Sequence, residues 1–198
     1  MTVLSPPRAA TIDRALRDAQ RWCAGHTIDD RPALTHAVRV AVTIGEHVPN
    51  PDPDLIAAAL LHDIPDFAPR TPDIYQILAT AYGPQVPRII AALQAEHQDL
   101  DMPEPPIRVD DLPVLLASTA DKIVALTSLL RRAHASGDVT RFLRTRPALL
   151  ALLPHFRAFQ QAAHHRVPLR MSARLDTALT LLERAATGVQ TGSRPCSL

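Results

Sequence analysis

Residues 52–67 read DPDLIAAALLHDIPDF, and the seven positions from Leu55 to Leu61 are apolar on every side of a helix. Asp52 suits the N-cap of that helix, and Pro53 fits its first position, where no backbone N–H is needed. A helix without a polar face belongs in the middle of a core, so other helices must surround it. Upstream, Ile12, Ala15, Leu16, Ala19 and Trp22 recur at helical spacing behind Thr11, which reads as an N-cap; that helix ends near Gly25. A second helix is expected over Ala33–His47, with Leu34, Val38, Ala41, Val42 and Gly45 on its apolar face and the turn Pro49-Asn50-Pro51 behind it.

Downstream, Thr71-Pro72-Asp73 opens a helix that closes at Gly83, and Pro84 starts another through Ile89, Ile90 and Leu93 to about His97. The acidic, proline-rich piece from Gln98 to Pro106 reads as a loop. Leu112 to Ala133 supports one long helix terminated by Gly137, and weaker patterns cover Thr140–Arg144, Pro147–Ala163 and Ser172–Ala186. Nineteen prolines, six glycines and 4% aromatic residues among 198 point away from a β-sandwich. The expected fold is all-α: a single helical bundle spanning 1–198, with its core over about 11–186 and a flexible tail over 187–198.

Composition narrows the function classes. A hydrophobic content of 46% builds an ordinary core. Twenty-one Lys and Arg against twenty Asp and Glu leave +1, which steers the chain toward neither nucleic acid nor an anionic membrane. Two cysteines, Cys23 and Cys196, make no disulfide framework and favour a reducing cytoplasm. No signal peptide is expected, and no stretch is read as reaching the ~18 apolar residues of a membrane span.

Four residues carry the chemistry: His36, the adjacent His62-Asp63, and Asp121 inside STADKIVALTSLL. Both carboxylates sit on segments expected to be buried, where an unpaired charge is costly. A divalent cation bound by two imidazoles and two carboxylates would satisfy all four groups, and such mixed ligands suit Mn, Fe, Zn or Co better than Ca. Any one of the four, taken alone, is more often a hydrogen-bonded structural residue.

Taken together, the pattern resembles the HD superfamily of metal-dependent phosphohydrolases, specifically the (p)ppGpp hydrolase domain of RelA/SpoT-type enzymes and their small stand-alone relatives. The stretches that carry the likeness are RPALTHAVRVA, LIAAALLHDIPDFAP, TAYGPQVPRIIAAL and LLASTADKIVALTSLLRR, in the family's order and at similar separations. The resemblance implies an HD-domain bundle, a phosphate ester or nucleotide as substrate, and one divalent metal, Mn²⁺ first, on His36, His62, Asp63 and Asp121. With only His97 between the HD pair and Asp121, a mononuclear centre is expected.

The family follows its HD pair with two residues and then Glu-Asp; here Asp66 stands for the Glu and Phe67 replaces the Asp. Asp66 is therefore the expected acid–base residue, on the ligand face if the helix continues past Pro65. The family's Arg-Lys pair, Tyr and Asn have no counterpart in the segment before His36, at Ala33 and at Ala125, so the alarmone pocket is rebuilt. Arg31 and Lys122 are the candidate phosphate contacts, each against a reading as a solvated charge. His47, His155 and His164-His165 read as surface residues. Three readings follow: a phosphohydrolase on a nucleotide or related phosphate ester, a catalytically degenerate HD module with a regulatory role, and a di-iron oxidative enzyme.

Overall fold

The structure, a computed structural model, describes residues 2–28, 31–68 and 73–191, with side chains as far as residue 187. The expected cap residues Thr71 and Pro72, and the tail from residue 192 with Cys196, lie outside the described residues. The chain is a helical bundle: α1 Ala10–Trp22, α2 Ala33–His47, α3 Pro53–Leu61, α4 Ile64–Phe67, α5 Ile74–Tyr82, α6 Gln85–Asp99, α7 Leu112–Ala135, α8 Val139–Arg144, α9 Pro147–Ala163 and α10 Leu169–Thr191. A two-residue hairpin, β1 Thr27–Ile28 against β2 Arg31–Pro32, precedes α2, with Thr27 opposite Pro32.

Helix α3 is the centre of the core, every residue from Leu55 to Leu61 being buried. It packs against α1, α2, α6 and α7, while α10 closes the other side of α7 and also covers α8 and α9. Asp52 caps α3 by accepting from the Asp54 amide, and Asp73, Asp111 and Asp138 cap α5, α7 and α8 in the same way. Helix α5 ends at Gly83, whose φ of 77° is a left-handed conformation that glycine adopts without a steric penalty.

Several boundaries and faces differ from the sequence expectation. Helix α1 begins at Ala10, so Thr11 lies inside it; the Asp13 carboxylate in its first turn accepts from Arg8 Nε instead. Helix α2 turns Ala33, Ala37, Val40, Ala41 and Ile44 inward and leaves Leu34, Val38 and Val42 half-buried at the edge. It is apolar on two adjacent stripes, and the alanine-rich one permits the closer approach to α3. Helix α6 runs to Asp99 through the expected start of the loop, and α10 begins three residues early. Helix α7 is long and apolar enough to cross a membrane by length and composition, contrary to the expectation that no segment qualifies; most of it is buried by its neighbours, as in a core helix.

The N-terminal segment packs against α2 at Gly45. A Cβ built there would lie 2.6 Å from Val3 Cβ, inside contact distance. Gly45→Ala should therefore push the segment off α2 and lower stability by about 1–3 kcal/mol, read as a fall in the denaturant midpoint. An unchanged midpoint would show that the segment does not hold this position in solution.

Candidate metal centre

The local sequence dictates how each side chain reaches the site. The hairpin delivers the chain to α2, with the Ala33 amide bonded to the His26 carbonyl at 3.0 Å, and this sets His36 in the first turn of the helix. His62 caps the C-terminus of α3. Its Nδ1 lies 2.9 Å from the Ala59 carbonyl, so Nδ1 carries the proton and donates, leaving the Nε2 lone pair for the site. Asp63 follows in the turn between α3 and α4, and Pro65 stands at the start of α4, so the chain does not continue as one helix. Asp121 comes from the middle of α7, packed against α2, α3 and α6.

These groups converge. His36 Nε2 lies 2.8 Å from Asp121 Oδ1; His62 Nε2 lies 3.2 Å from Asp63 Oδ1 and 3.8 Å from Asp121 Oδ1. One donor atom from each of His36, His62 and Asp121 lies within 4.8 Å of the others. Asp121 is 8% exposed and His62 is 1% exposed. Burial alone would raise the Asp121 pKa, but hydrogen bonds from His36 and His97 and the fields of His36 and His62 outweigh it and hold the carboxyl well below its ordinary range. His62 Nε2 and Asp63 Oδ2 are buried with no hydrogen-bond partner among the described residues. Asp63 itself does not join the group of donor atoms formed by His36, His62 and Asp121, but two buried orphan atoms of ligand type, His62 Nε2 beside the shared carboxylate and Asp63 Oδ2 next to it in sequence, fit a bound divalent cation better than they fit a closed hydrogen-bond network.

His97, which the sequence reading used only to count histidines, belongs to this cluster. From the last turn of α6, its Nε2 donates to Asp121 Oδ2 at 3.1 Å. Burial would lower its pKa; the hydrogen bond to Asp121 and that residue's charge prevail and raise it. Gln94, one turn earlier on the same face of α6, donates from Nε2 to the His62 carbonyl at 2.9 Å and to Asp66 Oδ2 at 3.1 Å. Asp66 itself is exposed on α4. Phe67 beside it stacks on the His26 ring, with centroids 4.5 Å apart. The spacing Gln94–His97 on an amphipathic helix was the available signal for both residues.

Lys122 is corrected as a solvated charge. It is buried, donates from Nζ to Glu96 Oε1 and to Ser118 Oγ, and sits 4.4 Å over the Phe159 ring. Arg31 is exposed at the mouth of a small cavity of about 40 Å³ that His36 also lines. On the other side of α7 a larger cavity of about 480 Å³ reaches Asp121 and His97 and is walled by Leu126, Leu129, Leu149 and Phe156. Ala125 borders both cavities. His47 and His164 are half-buried and bonded to the Thr43 carbonyl and Ser172 Oγ, His155 is half-buried, and only His165 is exposed; none joins the cluster.

The arrangement matches a known architecture. One solved structure similar to this chain is that of a metazoan ortholog of SpoT that hydrolyzes ppGpp and plays a role in starvation responses; the match has a TM-score of 0.59 over 89% of this chain and 98% of that one. The fold is HD-type, like that of a ppGpp hydrolase. Identity to that structure is 14%, so the shared property is the fold. No protein-family model and no curated protein matches the sequence. Within the HD-type fold, the His36, His62-Asp63 and Asp121 positions occupy three different helical segments that only tertiary packing unites.

Two outcomes test this geometry. Elemental analysis should find about one transition metal per Mn²⁺-loaded chain, lost in His62→Ala and Asp121→Ala; His97→Ala should keep the stoichiometry at saturation but weaken affinity by about 10- to 100-fold, as removal of a group that orients a ligand does. Lys122→Met should cost about 3–5 kcal/mol in chemical denaturation, because it leaves Glu96 buried without its cation. A cost within ~0.5 kcal/mol would return Lys122 to the class of surface charges.

Proposed function

We propose that this chain is a metal-dependent phosphohydrolase acting on a nucleotide or related phosphate ester, similar to a (p)ppGpp hydrolase but with an altered substrate pocket. The observation that carries the reading is the cluster of His36, His62 and Asp121 donor atoms, in which the buried His62 Nε2 has no hydrogen-bond partner among the described residues, with a second buried orphan atom, Asp63 Oδ2, on the adjacent residue. His36, His62, Asp63 and Asp121 would hold one divalent transition metal, Mn²⁺ first, with Fe, Zn or Co as alternatives. Such an ion polarises phosphate oxygens and makes a water reactive near neutral pH.

The chain's own residues divide the remaining work. Asp66 is the acid–base group in this reading: Gln94 Nε2 holds its Oδ2, which leaves Oδ1 free to orient a water or accept its proton. Gln94 makes that placement rigid because the same amide grips the His62 carbonyl. His97 Nε2 donates to Oδ2 of Asp121, which orients the carboxylate. The apolar walls of the large cavity offer little hydrogen bonding to a base, so discrimination among nucleobases is expected to be poor. The ortholog of SpoT with the same fold hydrolyzes ppGpp, and a nucleotide substrate here is consistent with that.

A second reading, a catalytically degenerate module, is favoured by one observation. The position of the family's second acid is filled by Phe67, whose ring is engaged with His26 and offers no proton-transfer group. Turnover decides between the two. Phosphate or pyrophosphate release from a nucleotide panel should require Mn²⁺ and stop with chelator, and Asp66→Asn should cut it by about 10²- to 10⁴-fold with the metal retained. Full activity in Asp66→Asn would remove Asp66 from the reaction; no release by wild type from any ester would leave the regulatory reading.

A further inference from the structure

The cavity of about 480 Å³ adjoins the metal centre directly, since Asp121 and His97 form part of its wall. Leu126, Leu129 and Phe156, all buried, make its floor, and Ala125 and Leu149, both half-buried, flank them. Thr145, Pro147 and Ala148, exposed at the junction of α8 and α9, mark the mouth. Pockets of roughly 300–1,000 Å³ enclose small organic ligands, so the space suits a molecule of that size.

The polar groups of that wall are already engaged within the protein. Lys122 donates to Glu96 and Ser118, and His97 to Asp121. Thr145 Oγ1 donates to the Phe142 carbonyl at 2.9 Å and accepts from Arg146 Nη1 at 2.8 Å. The Arg146 guanidinium lies 3.6 Å over the centre of the Phe142 ring and that of Arg132 lies 5.8 Å from it, so both cations are held against a ring that does not line the cavity. A nucleoside placed here would set its ribose hydroxyls and the hydrogen-bonding edge of its base against Leu126, Leu129, Leu149 and Phe156. Polar groups buried without partners oppose binding, whereas apolar surface leaving water favours it.

We propose that the substrate of this site is a phosphate monoester of an apolar alcohol, with an aliphatic or aromatic body in place of a nucleoside. The phosphate lies at the end formed by Asp121 and His97, and the body runs along Leu126, Leu129, Leu149 and Phe156. Hydrolysis adds water to phosphorus and breaks the bond between phosphorus and the alcohol oxygen. That oxygen gains one proton of the water, so the products are the free alcohol and inorganic phosphate. The cleavage rests on the phosphohydrolase reading and selects the related ester over the nucleotide within it; the preference for an apolar body stands on the cavity wall alone. Each methylene taken out of water is worth about fourfold in affinity, so the length of the body reports on that wall.

Titration calorimetry on the Mn²⁺-loaded protein tests the proposal with three phosphonates: methylphosphonate, hexylphosphonate and the phosphonate analogue of adenosine monophosphate. Their bond from phosphorus to carbon is not hydrolysed, so binding is read apart from turnover. Wild type should bind hexylphosphonate at least about tenfold more tightly than either of the others, with the negative heat-capacity change of apolar burial. In Leu149→Gln the hexyl and methyl probes should bind within about threefold of each other, while Leu149→Met, of similar size and apolar, should keep the preference. Equal affinity for the hexyl and methyl probes in wild type, tighter binding of the adenosine analogue, a preference that survives Leu149→Gln, or one lost in Leu149→Met as well overturns the proposal. Phosphate release from nucleotides without a hexyl preference upholds the phosphohydrolase reading and overturns this one. A hexyl preference with no phosphate released from hexyl phosphate or any nucleotide keeps the apolar-bodied phosphate as the ligand of the cavity and removes the phosphohydrolase reading instead.

Discussion

The rest of the site is arranged around one carboxylate, that of Asp121, held in the middle of a long apolar helix. It is 8% exposed, and a charge in that position is tolerated only where several groups compensate for lost hydration. Here three imidazoles from α2, the end of α3 and α6 do so, two of them by hydrogen bonds to opposite oxygens. Helix α7 cannot shift along its axis without breaking contacts to all three, so the electrostatic requirement of one residue fixes the relative register of four helices. Beside it, the Lys122–Glu96 pair locks α7 to α6 a second time.

The core was the most legible part of the sequence. The run Leu55–Leu61 leaves no alternative to a fully surrounded helix, and Asp52, Asp73 and Gly83 mark helix ends by chemistry that is local to a few residues. Faces were harder. On α2, two neighbouring stripes are both apolar, and the choice between them is made by how closely alanines let α3 approach, which is a property of the partner helix. Boundaries at Ala10 and Leu169 moved because Arg8 and the turn before α10 stabilise those ends in ways the capping signals do not describe.

For the site, the order and spacing of His36, His62-Asp63 and Asp121 singled out three residues, His36, His62 and Asp121, whose donor atoms the fold brings together, while Asp63 stays outside that group. What spacing could not supply is which side chains from other helices face them. His97 and Gln94 are ordinary polar residues of an amphipathic helix until α6 is docked against α3 and α7. Lys122 reads as polar beside an aspartate, yet its partner Glu96 is twenty-six residues away and reachable only through the fold.

The all-apolar character of α3 has a consequence for how the molecule breathes. With no face that water can wet, α3 has no favourable partly detached state, and His62 is attached to its last turn. Amide protons of α3 and of the buried middle of α7 will therefore exchange with solvent only through global unfolding, whereas the two-residue hairpin and the single-turn α4 can open locally. The histidine side of the cluster thus has the permanence of the whole domain. Asp66 and Arg31, on the short elements, can move on faster timescales while that framework stays closed, so traffic into and out of the site is confined to its rim.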